Sequence, residues 1–217
     1  MTLHLTIGNK SYSSWSLRPW ILLKQFGIPF DETVIPLDQP STRADIAAAS
    51  PTGKVPALRA DGIVVSESLA IMEFVAELFP DLPIWPRERP ARALARASSA
   101  EMHARFAALR QACPMNVRRQ PKPIPIGSEV RADIDRIEAA WAEARRVSGQ
   151  GGPFLFGAFS AADAMWAPVV NRFHAYAIEV RPDTLAYMEA IMALPSWRAW
   201  VAGAEAEPWR IARYEAL

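Results

Sequence analysis

The chain has 217 residues, of which 51% are hydrophobic and 22% are charged, an ordinary globular composition that argues against a disordered chain. Its 24 Lys and Arg residues nearly balance 23 Asp and Glu residues, which argues against the basic surface of a nucleic-acid-binding protein. No run approaches the roughly 20 consecutive apolar residues of a membrane-spanning helix, so a membrane protein is not expected either.

The first 79 residues predict alternating strands and helices. Apolar and polar residues alternate over residues 3–7, the pattern of a strand buried on one face. A serine-rich turn follows, and Ser16 is the predicted cap of the first helix. The predicted elements, in the order β-α-β-α-β-β-α, are residues 3–7, 17–26, 30–37, 42–48, 55–59, 63–66 and 67–78.

A proline-rich stretch follows at residues 80–90. Its four prolines exclude a regular helix or a central strand, so it is the predicted linker between domain 1–79 and domain 91–217. Beyond the linker the apolar spacing is helical nearly to the end of the chain. The predicted helices are residues 91–112, 128–147, 161–178, 182–193 and 196–205.

Three motifs in the first domain carry a family resemblance. SSWSLR at residues 13–18 resembles the Ser-Ser-Cys-Ser-x-Arg turn of zeta-class glutathione transferases. GKVPAL at residues 53–58 resembles the loop in which this family has a cis-proline before its third strand. SESLAI at residues 66–71 resembles the acidic and serine pair that holds the γ-glutamyl end of glutathione. The chain therefore resembles serine-type glutathione transferases of the theta- and zeta-like bacterial branch.

The resemblance implies a thioredoxin-like N-terminal domain that binds glutathione as co-substrate, followed by an all-helical domain that forms the pocket of a small electrophilic acceptor. It also implies Ser13 as the catalytic residue, or Ser14 if the register of the turn shifts by one residue. A free cysteine thiol has a pKa of about 8.5 and is mostly protonated at neutral pH. A serine hydroxyl at a helix N-terminus stabilises the thiolate by donating a hydrogen bond beside the helix dipole.

The remaining motif residues are assigned to glutathione by the same resemblance. Pro56 is expected to follow a cis peptide bond that exposes the main chain of Val55 for pairing with the cysteinyl part of glutathione. Glu67 is expected to accept from the γ-glutamyl ammonium, and Ser68 to bind the neighbouring carboxylate. Lys54 is a candidate partner of the glycyl carboxylate, with a solvated loop lysine as the alternative.

Two residues are candidates for the acceptor pocket. Trp15 stands where the zeta-like turn has cysteine, and its large ring is expected to reshape the mouth of the pocket. Arg118 follows the first long helix of the second domain, where it either meets an anionic acceptor or is solvated at a helix end. In the same domain, Ser160 and Asp163 resemble the capping motif of the family's central helix.

Several functions stay open. Transfer of glutathione to an electrophile leads, followed by a glutathione-dependent isomerase of the maleylacetoacetate type, which Trp15 argues against, or a peroxidase. A non-catalytic glutathione-binding or scaffold protein of the same fold is the alternative from another class.

The cysteine and histidine content bears on the compartment and on metal binding. Cys113 is the single cysteine, so the chain forms no internal disulfide and a reducing cytoplasm is the predicted compartment. The spacing of the histidines predicts no metal site. The family resemblance implies a homodimer.

Overall fold

The computed structural model describes residues 2–148 and 151–216. The N-terminal elements are β1 (His4–Gly8), α1 (Ser14–Gln25), β2 (Asp31–Ile35), α2 (Thr42–Ala49), β3 (Ala57–Ala60), β4 (Ile63–Ser66) and α3 (Ser68–Leu78). The strands form a four-stranded sheet of order β2-β1-β3-β4, in which β1 pairs parallel with β2 and antiparallel with β3. Along the chain, these elements have the predicted β-α-β-α-β-β-α order of a thioredoxin-like domain.

The start of α1 differs from the prediction. The helix begins at Ser14, so Ser13 and not Ser16 occupies the N-cap position. The Ser16 hydroxyl instead accepts hydrogen bonds from the Gly8 N–H (3.0 Å) and from the Ser13 hydroxyl (2.7 Å). Because Ser16 is bonded to the end of β1, it ties the helix to the strand and does not cap it.

Residues 79–88 contain neither helix nor strand, and helices follow to the C-terminal end of the described chain. They are α4 (Arg89–Ala104), α5 (Ala107–Ala112), α6 (Ser128–Ser148), α7 (Ala161–Ala175), α8 (Pro182–Ala193), α9 (Pro195–Ala206) and α10 (Ala212–Glu215). The all-helical second part agrees with the predicted fold class. Within residues 2–148 and 151–216, no helix combines the length and the apolarity needed to cross a bilayer.

The single helix predicted over residues 91–112 is broken. Phe106 adopts the left-handed conformation, with φ 66°, and its side chain is buried against the ring of Trp166. A non-glycine residue adopts this conformation rarely, and here the packing of the ring accompanies it. The break separates α5 from α4 and gives α5 an N-terminus of its own.

Helix α7 is the central element of the helical part, since nearly all of its side chains are buried. At its N-terminal end the Asp163 carboxylate accepts hydrogen bonds from the N–H groups of Leu155 (3.0 Å) and Ser160 (2.9 Å). The Ser160 hydroxyl also donates to this carboxylate, at 3.0 Å. Burial raises the pKa of Asp163 to about 6, although these hydrogen bonds lower it.

Candidate functional site

Two cavities lie side by side between the sheet part and the helices. The small cavity has a volume of about 300 Å³ and is lined by Trp15, Lys54, Val55, Pro56, Glu67, His103 and Arg110. The large cavity has a volume of about 380 Å³ and is lined by Tyr12, Ser13, Ser14, Trp15, Leu37, Ile46, Gly53, Lys54, Val55, Arg110, Pro114, Met115, Arg172 and Tyr214. Four residues belong to both, so the cavities adjoin along Trp15, Lys54, Val55 and Arg110.

The serine turn lies at the large cavity. Ser13 and Ser14 both line it, at the N-terminus of α1. Ser13 is buried and its hydroxyl donates to Ser16, whereas the half-buried Ser14 side chain forms no hydrogen bond within the described part of the chain. The two hydroxyls thus share one cavity and one helix end, and which of them contacts a thiol stays a prediction.

The loop before β3 lines both cavities through Lys54 and Val55. The peptide bond between Val55 and Pro56 is cis. The N–H and C=O groups of Val55 form no hydrogen bond within residues 2–148 and 151–216. A backbone segment with both groups free at a cavity is suited to antiparallel pairing with an extended peptide. Lys54, which precedes it, is exposed.

An acidic side chain stands at the start of α3. Glu67 occupies the N-cap position with φ 73° and ψ 126°, a conformation that non-glycine residues rarely adopt and that is often found at binding sites. Its carboxylate lies 3.8 Å from Nε2 of His103. Ser68 is fully buried and lines neither cavity, and its hydroxyl has no partner among the described residues. Sequence reasoning identified Glu67 but not His103, which reaches the small cavity from α4.

Trp15 is the wall between the cavities, and cationic side chains surround its ring. The guanidinium carbons of Arg18 and Arg110 lie 4.0 Å and 5.2 Å from the ring centroid, within the range of cation–π contacts. The His103 ring centroid is 5.1 Å away. Trp15 therefore contacts groups from both halves of the protein.

Two arginines that sequence reasoning did not single out lie at the large cavity. Arg110 reaches it from α5, and Arg172 from α7. Arg172 is buried, and its Nε donates to the carbonyl of Cys113 at 2.9 Å. Burial, together with the charge of Arg110, lowers the pKa of Arg172 to about 10. The one sequence signal for Arg172 is an arginine inside a predicted helix whose other residues are mostly apolar.

Arg118 has a different environment from the one predicted for an acceptor residue. It lines neither cavity. Its guanidinium donates to the carbonyls of Ala204 (3.2 Å), Glu207 (2.7 Å) and Trp209 (2.6 Å), and to the hydroxyl of Tyr12 (2.9 Å). The donors of Arg118 are thus used to hold the chain that follows α9.

That chain, residues 207–216, forms part of the large cavity. The Tyr214 ring lies 5.8 Å from the Tyr12 ring, and both line the cavity. The Tyr12 hydroxyl donates to the Glu215 carboxylate at 2.6 Å. The Glu207 carboxylate accepts from the N–H of Lys10 at 2.7 Å, and burial raises its pKa. Sequence analysis missed this segment because its residues carry no regular pattern.

In the part of the chain that the structure describes, the cavities contain neither a cluster of metal ligands nor a cysteine of the protein. Within the described ranges, no group of three His, Cys, Asp or Glu side chains has the geometry of a metal site. Cys113 is buried, and burial raises the pKa of its thiol to about 11, so it is protonated at neutral pH.

Comparison with known proteins identifies the family. Residues 12–78 match the glutathione S-transferase N-terminal domain, and residues 100–203 match the glutathione S-transferase C-terminal domain. The chain belongs to the glutathione S-transferase family.

Relatives of this glutathione S-transferase include maleylacetoacetate isomerases and a plant glutathione S-transferase. A probable maleylacetoacetate isomerase of Caenorhabditis elegans is 34% identical over 90 residues, which cover 42% of this chain and 41% of that relative. Glutathione S-transferase L1 of Arabidopsis thaliana is 25% identical over 185 residues, covering 85% of this chain and 70% of that relative. The chain spans between 40% and 42% of the length of the maleylacetoacetate isomerases that it matches.

Solved structures of the family share the fold along nearly the whole chain. A glutathione transferase homolog from Burkholderia, with bound glutathione, is 26% identical and superposes with a TM-score of 0.73, covering 95% of this chain and 100% of that one. Human glutathione S-transferase T1-1, in its apo form, superposes with a TM-score of 0.64 at 20% identity, covering 98% and 95%.

Proposed function

We propose that this glutathione S-transferase binds glutathione in the small cavity, ionises its thiol at the serine turn and transfers the sulfur to a small electrophile in the large cavity. One observation carries the proposal. The cis-proline loop, the acidic start of α3 and the serine turn, which are separate in sequence, line adjoining cavities on either side of Trp15.

The residues of the small cavity suit the chemical groups of glutathione. Glu67 supplies a carboxylate for the γ-glutamyl ammonium, and the free N–H groups at the start of α3 suit the carboxylate next to it. The Ser68 hydroxyl at the same helix end has no partner among the described residues, but it is buried and lines neither cavity, so a contact with glutathione would require Ser68 to move. Val55 offers both backbone groups to the cysteinyl residue, and Lys54 offers an ammonium to the glycyl carboxylate.

The reaction needs a thiolate and an electrophilic carbon. Lowering the thiol pKa by one unit requires about 1.4 kcal/mol of preferential interaction with the thiolate. One hydrogen bond from Ser13 or Ser14 together with the N-terminal dipole of α1 supplies an amount of this size. The thiolate sulfur then donates its electron pair to the acceptor carbon, and in a displacement the leaving group departs with the pair of the broken bond.

Substituting each serine tests the proposal. We expect either Ser13→Ala or Ser14→Ala to lower kcat/KM at pH 7 by about tenfold to a hundredfold and to move the pH midpoint upward by about one to two units, because the thiolate loses its donor. Turnover of 1-chloro-2,4-dinitrobenzene and the absorbance of bound thiolate are the measurements. Ser41→Ala, at the exposed N-cap position of α2, is the control. Unchanged rates, pH profile and thiolate absorbance in both variants contradict the proposal.

An isomerase is a second candidate, because relatives that match 42% of this chain are named maleylacetoacetate isomerases. A spectrophotometric assay with maleylacetoacetate and catalytic glutathione separates the two functions, since an isomerase regenerates glutathione and a transferase consumes it. Consumption of glutathione in proportion to product argues for transfer.

We also infer that the protein acts as a homodimer in the cytoplasm. The dimer is supported by membership of a family that commonly forms dimers. The cytoplasmic location is supported by a chain with a single, buried cysteine, which needs no oxidising compartment to fold.

A further inference from the structure

The large cavity carries positive charge that no carboxylate of the described chain neutralises. Arg110 and Arg172 line it directly, and Arg18 lies behind Trp15 at its wall. None of these three guanidinium groups lies within 4.0 Å of an Asp or Glu oxygen in the described part of the chain. Other arginines, such as Arg96, do pair with a carboxylate.

The hydrogen bonds of the three arginines leave donors free. Arg110 donates from Nη1 to the Arg105 carbonyl at 3.2 Å, and Arg172 donates from Nε and Nη1 to backbone carbonyls. Arg18 donates from Nε to the Met165 carbonyl at 3.0 Å, while its Nη1 is buried without a partner. Nη2 of Arg110 and Nη2 of Arg172 form no hydrogen bond within the described residues.

The guanidinium groups of Arg18, Arg110 and Arg172 carry like charges and repel one another, and they are partly shielded from water. Burial lowers the pKa of Arg18, and the charges of Arg172 and Arg110 lower it further. Because field lines concentrate in a cleft with low-dielectric walls, the uncompensated charge attracts an anion into the large cavity. An anion there relieves the repulsion between the guanidinium groups and accepts from the free Nη2 donors.

The carboxylates of glutathione have other partners nearby. Under the proposed function, Lys54 and the N-terminus of α3 meet them at the small cavity, and Arg172 does not line that cavity. The walls of the large cavity also include apolar side chains that suit the body of a small molecule, namely Leu37, Ile46, Pro114 and Met115. Arg172 lines only the large cavity and Arg110 lines both, so the unpaired charge of Arg172 belongs to the side of the acceptor and that of Arg110 lies where the cavities meet.

We propose that the large cavity selects small electrophiles that carry a carboxylate, held by Arg110 and Arg172, with the apolar body of the molecule against Met115 and its neighbours. This inference rests on the proposed function, because it names the substrate class of the same site. In the transfer, the thiolate sulfur forms the C–S bond at the electrophilic carbon, and the leaving group departs as an anion with its electron pair. The carboxylate of the acceptor takes no part in bond making.

A matched pair of acceptors tests the proposal. 4-Chloro-3,5-dinitrobenzoate and 4-chloro-3,5-dinitrobenzamide react at the same carbon and lose the same chloride, but only the first is charged. We expect kcat/KM, divided by each uncatalysed rate constant, to favour the benzoate by about tenfold to a hundredfold, since a charge-assisted hydrogen bond contributes about this much. Arg110→Gln is expected to abolish most of this preference, mainly through a higher KM for the benzoate.

Further variants separate charge from fold. Arg172→Lys keeps a positive charge at a buried position and is expected to retain part of the preference, whereas Arg172→Gln loses it. Arg131→Gln removes an exposed arginine of α6 and is the control that leaves the preference unchanged. If Arg110→Gln and Arg172→Gln both keep the wild-type preference, the proposal is wrong while the amide still reports transferase activity.

A binding measurement decides the case in which neither acceptor is turned over. The unreactive 3,5-dinitrobenzoate and 3,5-dinitrobenzamide are titrated into the protein without glutathione, and quenching of tryptophan fluorescence reports occupancy beside Trp15. Preferential binding of the benzoate that Arg110→Gln abolishes supports the carboxylate site although the proposed transfer has failed. Equal affinity for the two compounds in the wild-type protein overturns it.

Discussion

The two cavities that meet at Trp15 differ in charge and in construction. The small cavity mixes charges, since Glu67, Lys54 and Arg110 all line it, and a zwitterionic peptide fits such a mixture. The large cavity has cations and no carboxylate among its described lining residues. Its walls also come from more distant parts of the chain, including α7 and the C-terminal segment that carries Tyr214. Under the proposed function, the co-substrate meets mostly residues of the N-terminal part, whereas acceptor selectivity also depends on the packing of α7 and the C-terminal segment.

Removing Arg118 is expected to break the large cavity and spare the small one. Arg118→Ala deletes the donors to three backbone carbonyls and to the Tyr12 hydroxyl, which hold the segment that bears Tyr214. Hydrogen bonds from charged groups contribute about 1.5 to 3 kcal/mol each, partly regained from water when the segment frays. We expect the free energy of unfolding in urea to fall by about 3 to 4 kcal/mol.

Ligand titrations of Arg118→Ala compare the effect of the substitution on the two cavities. In Arg118→Ala the affinity for 3,5-dinitrobenzoate is expected to fall about tenfold, while the glutathione affinity changes by less than about twofold. Arg131→Ala, an exposed position on α6, is expected to alter stability by no more than about 0.5 kcal/mol. An equal loss of affinity for both ligands would show that the two cavities are not built independently.

Asp163 connects the stability of the helix that carries Arg172 to pH. Its pKa is raised to about 6 in the folded chain from the ordinary value of 3.8, so the folded state binds more protons than the unfolded state between these pH values. The stabilisation is therefore fully present below about pH 4 and is lost as pH rises through about 6. Two pKa units correspond to a loss of up to about 3 kcal/mol.

Urea unfolding from pH 4 to 8 measures this effect. Glu207 also has a raised pKa, so the quantity of interest is the difference between the wild-type chain and Asp163→Asn at each pH. The asparagine variant does not titrate, and we expect the advantage of the wild-type chain over it to shrink as pH rises through about 6. Parallel stability curves for the two proteins would contradict the raised pKa of Asp163.

The part of the site that the N-terminal domain contributes was predictable from sequence, because its motifs are short and each adjoins a predicted strand or helix. The serine turn follows one strand, Pro56 precedes another, and Glu67 begins a helix, so the order of elements places all three at one end of the sheet. The exact start of α1 was not predictable, since the Ser16 hydroxyl is bonded to β1 and not to its own helix.

The arginines of the large cavity could not be predicted from sequence, because they acquire their roles through tertiary packing. Arg110 reaches both cavities from a helix that begins after the left-handed Phe106, which the continuous helical pattern did not indicate. Arg118, the predicted acceptor residue, is bonded to the C-terminal segment, whereas Arg172, for which the sequence suggested no role, lines the large cavity. A single sequence does not show which arginine faces a cleft, because the choice depends on helix rotation and neighbours.

His103 offers the finest test, because it and Arg110 are the two described residues of the helical part that line the small cavity. Its Nε2 lies 3.8 Å from the Glu67 carboxylate, and both side chains are partly exposed, so the pair contributes no more than about 1 kcal/mol. We expect Glu67→Gln to raise the glutathione Kd about tenfold. His103→Gln should raise it by less than about threefold, and by nothing further in the Glu67→Gln background.

Calorimetric titration of the two single variants and the double variant measures the coupling. His174→Gln, an exposed position on α7, is the matched control and should leave the Kd unchanged. If His103 acts by orienting Glu67, its effect vanishes once that carboxylate is gone. If its effect persists in the double variant, the histidine acts through the Trp15 ring that it contacts, and the helical part contributes to glutathione binding independently of Glu67.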